Sequence, residues 1–327
     1  MLKAASAPEP GTPLTAGFDV GGTNIRAALV APDGTCSHRI NEKTPQDAKE
    51  LEDLLVQLVG QLNEAARAAG YGEVAAVGIA IAGFIDPTCE CVRFAPHLPW
   101  RDAPVRRTMH ERLGVPVRIE HDANAAAWGE YRFGAGRGVD EWVFVSIGTG
   151  IGAAIIHDGE LYRGAHGTAP EFGHIVVDPS PHGRKCSCGK RGCLERYASG
   201  TALPDTTREL RPKYETALPA DAAGREVTDA ARAGDRLGQA VMHEFGVQLG
   251  RGLSIVADVL DPQLIVVGGG VADDADLFLG TACETMRDNM VGAGYRPVPT
   301  LATTELGGPA GMIGVADLAR SALTPKQ

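Results

Sequence analysis

Apolar residues along this chain fall into short blocks, and most of the blocks end in glycine. Thr15–Val20 reads as a buried strand, Gly21-Gly22-Thr23 as a turn, residues 25–30 as a second strand, and Pro32-Asp33-Gly34 as a closing turn, together a hairpin with a glycine-rich tip. Leu51, Leu54, Leu55, Leu58, Val59 and Leu62 recur at three-and-four spacing, which predicts an amphipathic helix within 46–69, ahead of a strand at 74–82. A strand at 115–119 feeds a helix that begins near Asp122. The first layout then recurs: an apolar strand at 143–147, the turn Gly148-Thr149-Gly150-Ile151-Gly152, a strand at 153–156 and Asp158-Gly159. Such self-similarity predicts an internal duplication within an α/β fold. Beyond it lie helix-rich sequence over 227–260, a buried strand at 264–267 and a final helix over about 309–323, with no Ser- or Pro-rich linker.

Length fits this picture, since 327 residues at roughly 150 per domain suggest two domains. Hydrophobic residues at 44% and charged residues at 22% exclude a mainly disordered chain. Lys and Arg total 31 against 41 Asp and Glu, a net charge of −10 without a basic block, which argues against a nucleic-acid partner. No apolar run approaches the roughly 20 residues that cross a bilayer, and the first residues lack the apolar stretch of a secretory signal. A frayed N-terminal tail on a cytoplasmic, non-membrane protein is expected. Of seven cysteines, Cys186, Cys188 and Cys193 crowd together, which reads as metal binding in a reducing compartment.

The glycine turns carry the first chemistry. Asp19-Val20-Gly21-Gly22-Thr23-Asn24 puts a carboxylate at a strand end, then two residues without Cβ, then a hydroxyl. Backbone N–H groups there can approach phosphate oxygens, with Asp19 able to hold a hydrated Mg²⁺. Residues 148–152 offer a second such turn, and the pair could clasp a polyphosphate. Gly268-Gly269-Gly270 leaves room for a flat ligand such as adenine against backbone. His174 with Cys186, Cys188 and Cys193 supplies the Cys₃His donor set of a closed, structural zinc site. Glu171 and Glu195 flank this knuckle as acceptors for vicinal hydroxyls, and the second ring nitrogen of His174 could face the same ligand. Asp122, at a strand-to-helix junction, is a candidate to orient a hydroxyl and take its proton.

As a set these motifs resemble the ROK family of repressors and sugar kinases, most closely its bacterial glucokinases, from Gly17 onward. The resemblance implies the two-lobed sugar kinase/Hsp70/actin (ribonuclease H-like) fold. A small lobe would span 1–122, with the C-terminal helix (about 309–327) packing back on it, and a larger lobe 123–308 would carry the zinc knuckle. It implies an ATP- and Mg²⁺-dependent phosphotransferase acting on a hexose 6-hydroxyl, glucose first, with Asp122 as catalytic base. Gly83, His97, His121, Asp122, Glu171, His174 and Glu195 would contact sugar. Asp19, Gly21, Gly22, Thr23, Asn24, Gly148, Thr149, Gly150, Gly152, Gly269 and Gly270 would contact the magnesium nucleotide. It also implies a homodimer or homotetramer.

This sequence has His121 and His97 where the family usually has Asn, and Pro170 where it has a small residue. Those departures bear on the acceptor, leaving fructose, an N-acylhexosamine or a cyclitol as alternatives, and polyphosphate remains a possible donor. Some members of the family are sugar-responsive repressors, but about 14 residues before the first strand are too few for a helix-turn-helix module. A non-catalytic sensor is disfavoured by the retention of Asp19, Thr23, Asp122 and Thr149.

Overall fold

The structure, a computed structural model, describes residues 13–323. Most of the expected N-terminal tail lies outside them. The chain opens with β1 (Thr15–Val20), β2 (Asn24–Val30) and β3 (Cys36–Lys43), then α1 (Ala48–Ala68), β4 (Ala76–Ile81) and the short strands β5 (Phe84–Ile85), β6 (Val92–Phe94) and β7 (Arg101–Ala103). It continues through α2 (Val105–Leu113), β8 (Val117–His121) and α3 (Asp122–Phe133). The second half holds β9 (Trp142–Ile147), β10 (Ile151–His157), β11 (Glu160–Tyr162), α4 (Leu203–Leu210), α5 (Gly224–Arg232), α6 (Arg236–Leu260), β12 (Leu264–Gly268), α7 (Leu279–Asn289), β13 (Thr300–Thr303) and α8 (Ala310–Arg320).

Among the described residues, one sheet runs β3-β2-β1-β4-β8 and another β11-β10-β9-β12-β13. β1 is antiparallel to β2 and parallel to β4, which is parallel to β8. β12 lies parallel to both β9 and β13. The two orders match strand for strand, which is the duplication expected from the repeated hairpins. A third, smaller sheet is β5-β6-β7.

The chain divides into two compact units, one of residues 13–138, 154–169 and 305–323, the other of Val139–Ala153 and Pro170–Thr304. The break expected after residue 122 falls instead after Gly138, because α3 is tied to α8 within the first unit. Glu130 of α3 is fully buried, and its carboxylate accepts from the N–H groups of Ala135 (2.8 Å), Glu305 (3.1 Å) and Leu306 (2.9 Å) on the approach to α8. Backbones touch along α8 as well: a Cβ on Gly17 would lie 2.1 Å from the Met312 carbonyl oxygen, and one on Gly78 2.1 Å from that of Val315.

α1 forms where its leucine period predicts. Asp47 caps it by accepting from the N–H groups of Lys49 (2.9 Å) and Glu50 (3.0 Å), and Leu51, Leu55, Leu58, Val59, Leu62 and Ala66 point into a core with Phe18, Ile79 and Trp100. Each such leucine contributes about 1.5–3 kcal/mol by burial. Leu54 lies at the edge of that face, only partly buried. β3, β5, β6, β7 and α2 have no counterpart in the sequence reading. β3 is an edge strand whose side chains are mostly exposed, so it lacks the apolar alternation that marks a buried strand.

Candidate active site

In the first unit, Asp19 and Asp122 lie at the carboxyl ends of parallel strands, where open α/β sheets bind ligands. β8 extends two residues beyond the expected strand, so that His121 is its last residue and Asp122 the first of α3. Asp122 Oδ1 accepts from the Ala123 N–H at 2.7 Å and lies 3.2 Å from His121 Nε2. Asp19 faces Arg26 across the β1–β2 pair, their charged groups 3.7 Å apart. Burial first, and then the negative charge of Asp122, push the Asp19 carboxyl up to about 6 against the pull of Arg26.

The turn that follows β1 is closed by the Gly21 N–H on the Asn24 carbonyl (3.1 Å) and braced by the Thr44 hydroxyl on the Gly21 carbonyl (2.6 Å). Thr23 and Asn24 are exposed at its tip. A Cβ on Gly22 would lie 2.4 Å from the Cβ of His97, so His97 packs directly on this turn. Gly83 passes close to Phe94 and Ala95, leaving 2.7 Å between an added Cβ and that of Ala95.

Behind His121 and Asp122 is a cluster that sequence reasoning missed. Glu120, 1% exposed, accepts from Arg163 Nη2 (2.6 Å), Arg118 Nη2 (2.8 Å), Asn124 Nδ2 (3.1 Å) and the His121 N–H (3.2 Å). Burial favours its neutral form, but the hydrogen bonds and charge of Arg163, with Arg118 beside it, prevail and bring its carboxyl down to about 2. Cys89 is buried 3.7 Å from the same carboxylate. That environment, burial first and then the charge of Glu120, pushes its thiol up to about 11. Glu120 could have been suspected as a third polar residue beside Asp122. Nothing in the sequence signals Arg163, which lies 43 residues away.

In the second unit, the turn after β9 is closed by the Gly148 N–H on the Gly150 carbonyl (2.9 Å). It is held from outside by the Gly200 N–H on the Gly148 carbonyl (2.8 Å) and the Thr201 hydroxyl on the Thr149 carbonyl (2.8 Å). Gly152 lies within β10, not in the turn. Glu195 Oε2 accepts from the Ile151 N–H at 2.9 Å, and a Cβ on Gly150 would come within 2.4 Å of that oxygen. Glu195, expected beside a sugar, is thus also a brace of the second glycine turn. Gly269 follows β12 at φ +81°, a left-handed conformation, and Gly270 is exposed next to it.

The His174 ring links two groups. Its Nδ1 lies 3.6 Å from Cys186 Sγ, and its Nε2 is 3.9 Å from a Glu171 carboxylate oxygen. Cys188 Sγ and Cys193 Sγ are 3.6 Å apart, and all four candidate ligand atoms lie within 4.8 Å of one another. Gly192 lets the loop wrap this tightly, since at φ +72° a Cβ would sit 1.8 Å from the Asp178 carbonyl oxygen. Burial, and then the neighbouring sulfurs, push the Cys193 thiol up to about 12, which a bound cation would reverse.

Among the described residues no helix is long and apolar enough to cross a membrane. The chain is 38% identical over 317 residues to a glucokinase of Streptomyces coelicolor, a match covering 94% of this chain and 98% of that relative. Its fold superposes on a ROK family glucokinase from Streptomyces griseus in complex with glucose and AMPPNP (TM-score 0.81, 39% identity, 94% and 99% of the two chains). It also superposes on a ROK hexokinase from Thermus thermophilus (TM-score 0.79, 30% identity, 95% and 99%). With the ROK family model matching residues 15–322 as well, this chain belongs to the ROK family.

Proposed function

We propose that this chain is an ATP-dependent hexose kinase that transfers the γ-phosphoryl group to the 6-hydroxyl of glucose. The observation that carries the reading is Asp122, fixed at the β8–α3 junction with one carboxylate oxygen engaged, beside a glycine turn that begins with a second carboxylate, Asp19. The likeness to glucokinases, one of them holding glucose and AMPPNP, supports both substrates.

Phosphoryl transfer asks a protein mainly for positioning and charge stabilisation. In the proposed step the sugar O6 attacks the γ-phosphorus, the new O–P bond forms as the bond to the ADP oxygen breaks, and the hydroxyl proton moves to Asp122 Oδ2. N–H groups at the tips of the two turns, those of Gly22, Thr23, Thr149 and Gly150, would face the phosphates, and Gly269-Gly270 would lie against adenosine. Asp19 would hold the Mg²⁺ that accompanies the nucleotide, and its proton affinity, raised by burial and by Asp122 despite Arg26 at 3.7 Å, is what a nearby cation would offset. Gly83, His97 and His121 of the first unit, and Glu171, His174 and Glu195 of the second, are the proposed sugar contacts.

His174, Cys186, Cys188 and Cys193 would hold a structural Zn²⁺. Zn–S bonds of about 2.3 Å in a tetrahedron put sulfurs about 3.8 Å apart, close to the 3.6 Å between Cys188 and Cys193. With four protein ligands the ion would keep the knuckle folded, and so hold Glu171 and Glu195 in place.

The test is coupled ADP release with Mg-ATP across glucose, mannose, fructose, glucosamine, N-acetylglucosamine, N-acetylmannosamine and a cyclitol, with polyphosphate tried as donor by following the sugar phosphate formed. Turnover highest on glucose is expected; turnover confined to another acceptor would overturn the glucose assignment, and none on any would overturn the kinase.

A further inference from the structure

The sheet face that carries Asp19 continues into a cationic cavity. Asp19 pairs with Arg26 across β1 and β2, and Arg26 with Asn41 across β2 and β3, so the three side chains stand in a row on one face of the sheet. Arg39, two residues before Asn41 on β3, belongs to that face as well. Arg26, Arg39 and Asn41 line a cavity of about 410 Å³, which Pro309 and Met312 at the start of α8 also line. All of these residues lie in the first unit.

The cavity is short of negative charge, since its lining holds two guanidinium groups and no carboxylate. Arg26 is 3.7 Å from Asp19 with 55% of its side chain exposed, a loose pair that leaves the guanidinium able to turn to a second anion. Among the described residues Arg39 pairs with no carboxylate. Its acidic neighbour is the Cys36 thiol, which burial pushes up against the pull of Arg39, so that it stays uncharged near neutral pH.

Two guanidinium forks and an amide offer more donors than one carboxylate accepts, and they suit the several oxygens of a phosphate. The volume falls within the roughly 300–1,000 Å³ of small-molecule sites and is more than one orthophosphate fills. The row also starts at Asp19, the carboxylate that opens the first glycine turn.

We propose that Arg26, Arg39 and Asn41 form a phosphate-binding subsite beside the donor turn, suited first to consecutive groups of an inorganic polyphosphate chain. The proposal rests on the reading of the Asp19 turn as the donor site and extends it to a second donor. In that use the sugar O6 attacks the terminal phosphorus, and the new O–P bond forms as the bridging bond to the next phosphate breaks. The shortened chain leaves with that bond's electron pair, and the hydroxyl proton goes to Asp122. The arginines bind the part of the chain that leaves. A free orthophosphate offers the same oxygens, and the experiment separates the two sources.

Calorimetry in Mg²⁺ buffer measures binding of orthophosphate, tripolyphosphate and long-chain polyphosphate to wild type, Arg39→Ala, Arg39→Lys and Arg137→Ala, the last an exposed arginine outside the cavity. Arg39→Ala is expected to weaken tripolyphosphate binding about tenfold or more, Lys to recover part of it, and Arg137→Ala to stay within about twofold of wild type. KM for Mg-ATP should stay within about twofold in all of them. Glucose phosphorylation from polyphosphate, with its KM raised about tenfold by Arg39→Ala, identifies the chain as occupant. Orthophosphate binding weakened by Arg39→Ala without turnover on polyphosphate supports the subsite and assigns it to the free anion. Binding of every probe unchanged in Arg39→Ala, or weakened as much in Arg137→Ala, would overturn the proposal. Asp122→Asn should bind tripolyphosphate as wild type does and turn over with neither donor; turnover near the wild-type rate there would remove the base and leave the binding result standing.

Discussion

Replacing Arg163 by Leu tests how the Asp122 turn is anchored. Glu120 is 1% exposed, and Arg163 reaches its Oε2 at 2.6 Å while Arg118, on the more open side, reaches it at 2.8 Å. The Glu120 carboxyl falls from an ordinary 4.5 to about 2, and each tenfold change in proton affinity is worth about 1.4 kcal/mol. The two arginines together thus stabilise the folded ionised form by about 3 kcal/mol net of burial, with Arg163 the larger contributor. Arg163→Leu should cost about 2–3 kcal/mol at pH 7, near the lower end of what breaking a buried pair costs. The sign with pH follows from the lowered value: the contribution is complete above about 4.5 and is lost as pH falls through about 2, so near pH 3.5 the gap to wild type should shrink by about 1 kcal/mol. Urea unfolding followed by tryptophan fluorescence at both pH values measures it, and the Arg163→Leu/Glu120→Gln double variant should recover part of the loss. A loss below about 0.5 kcal/mol at pH 7, or one that does not change with pH, would refute the reasoning.

Three further outcomes are expected. Gly150→Ala puts a methyl group against the Glu195 carboxylate, 2.4 Å from its oxygen, and should lower kcat/KM at least tenfold with little effect on thermal unfolding, as paired kinetics and melting curves will show. Because the Asp19 carboxyl is raised to about 6, it loses its charge below that pH, so KM for Mg-ATP should climb as pH falls through about 6; Asp19→Asn should give a high KM without that dependence. Cys193→Ser should reduce bound zinc from about one ion per chain, measured by elemental analysis, and lower Tm by about 5 °C or more; an unchanged metal content would contradict the zinc assignment.

What could be read from the sequence was what local pattern encodes. The leucine period of α1, the hairpin β1–β2 and its repetition in β9–β10 are each carried by adjacent residues, and the structure has them all. The Cys₃His cluster was legible because its cysteines crowd into one loop. Elements without a local apolar signal were not: the polar edge strand β3, the two- and three-residue strands β5 to β7, and α2. Long-range pairings were equally invisible, among them Arg163 on Glu120 and Glu195 on the Ile151 N–H, 43 and 44 residues apart. The break between units was misplaced at residue 122 for the same reason, since Glu130 joins α3 to the approach to α8 across 175 residues.

The central claim is that Asp122 takes the proton of a glucose hydroxyl during transfer from ATP. Its most direct test is single-turnover phosphorylation of glucose by wild type and by Asp122→Asn, with glucose binding measured on the same preparations. The account predicts a fall in the transfer rate of about 10²–10⁴ in the variant with glucose affinity retained. A transfer rate within a few-fold of wild type would contradict it.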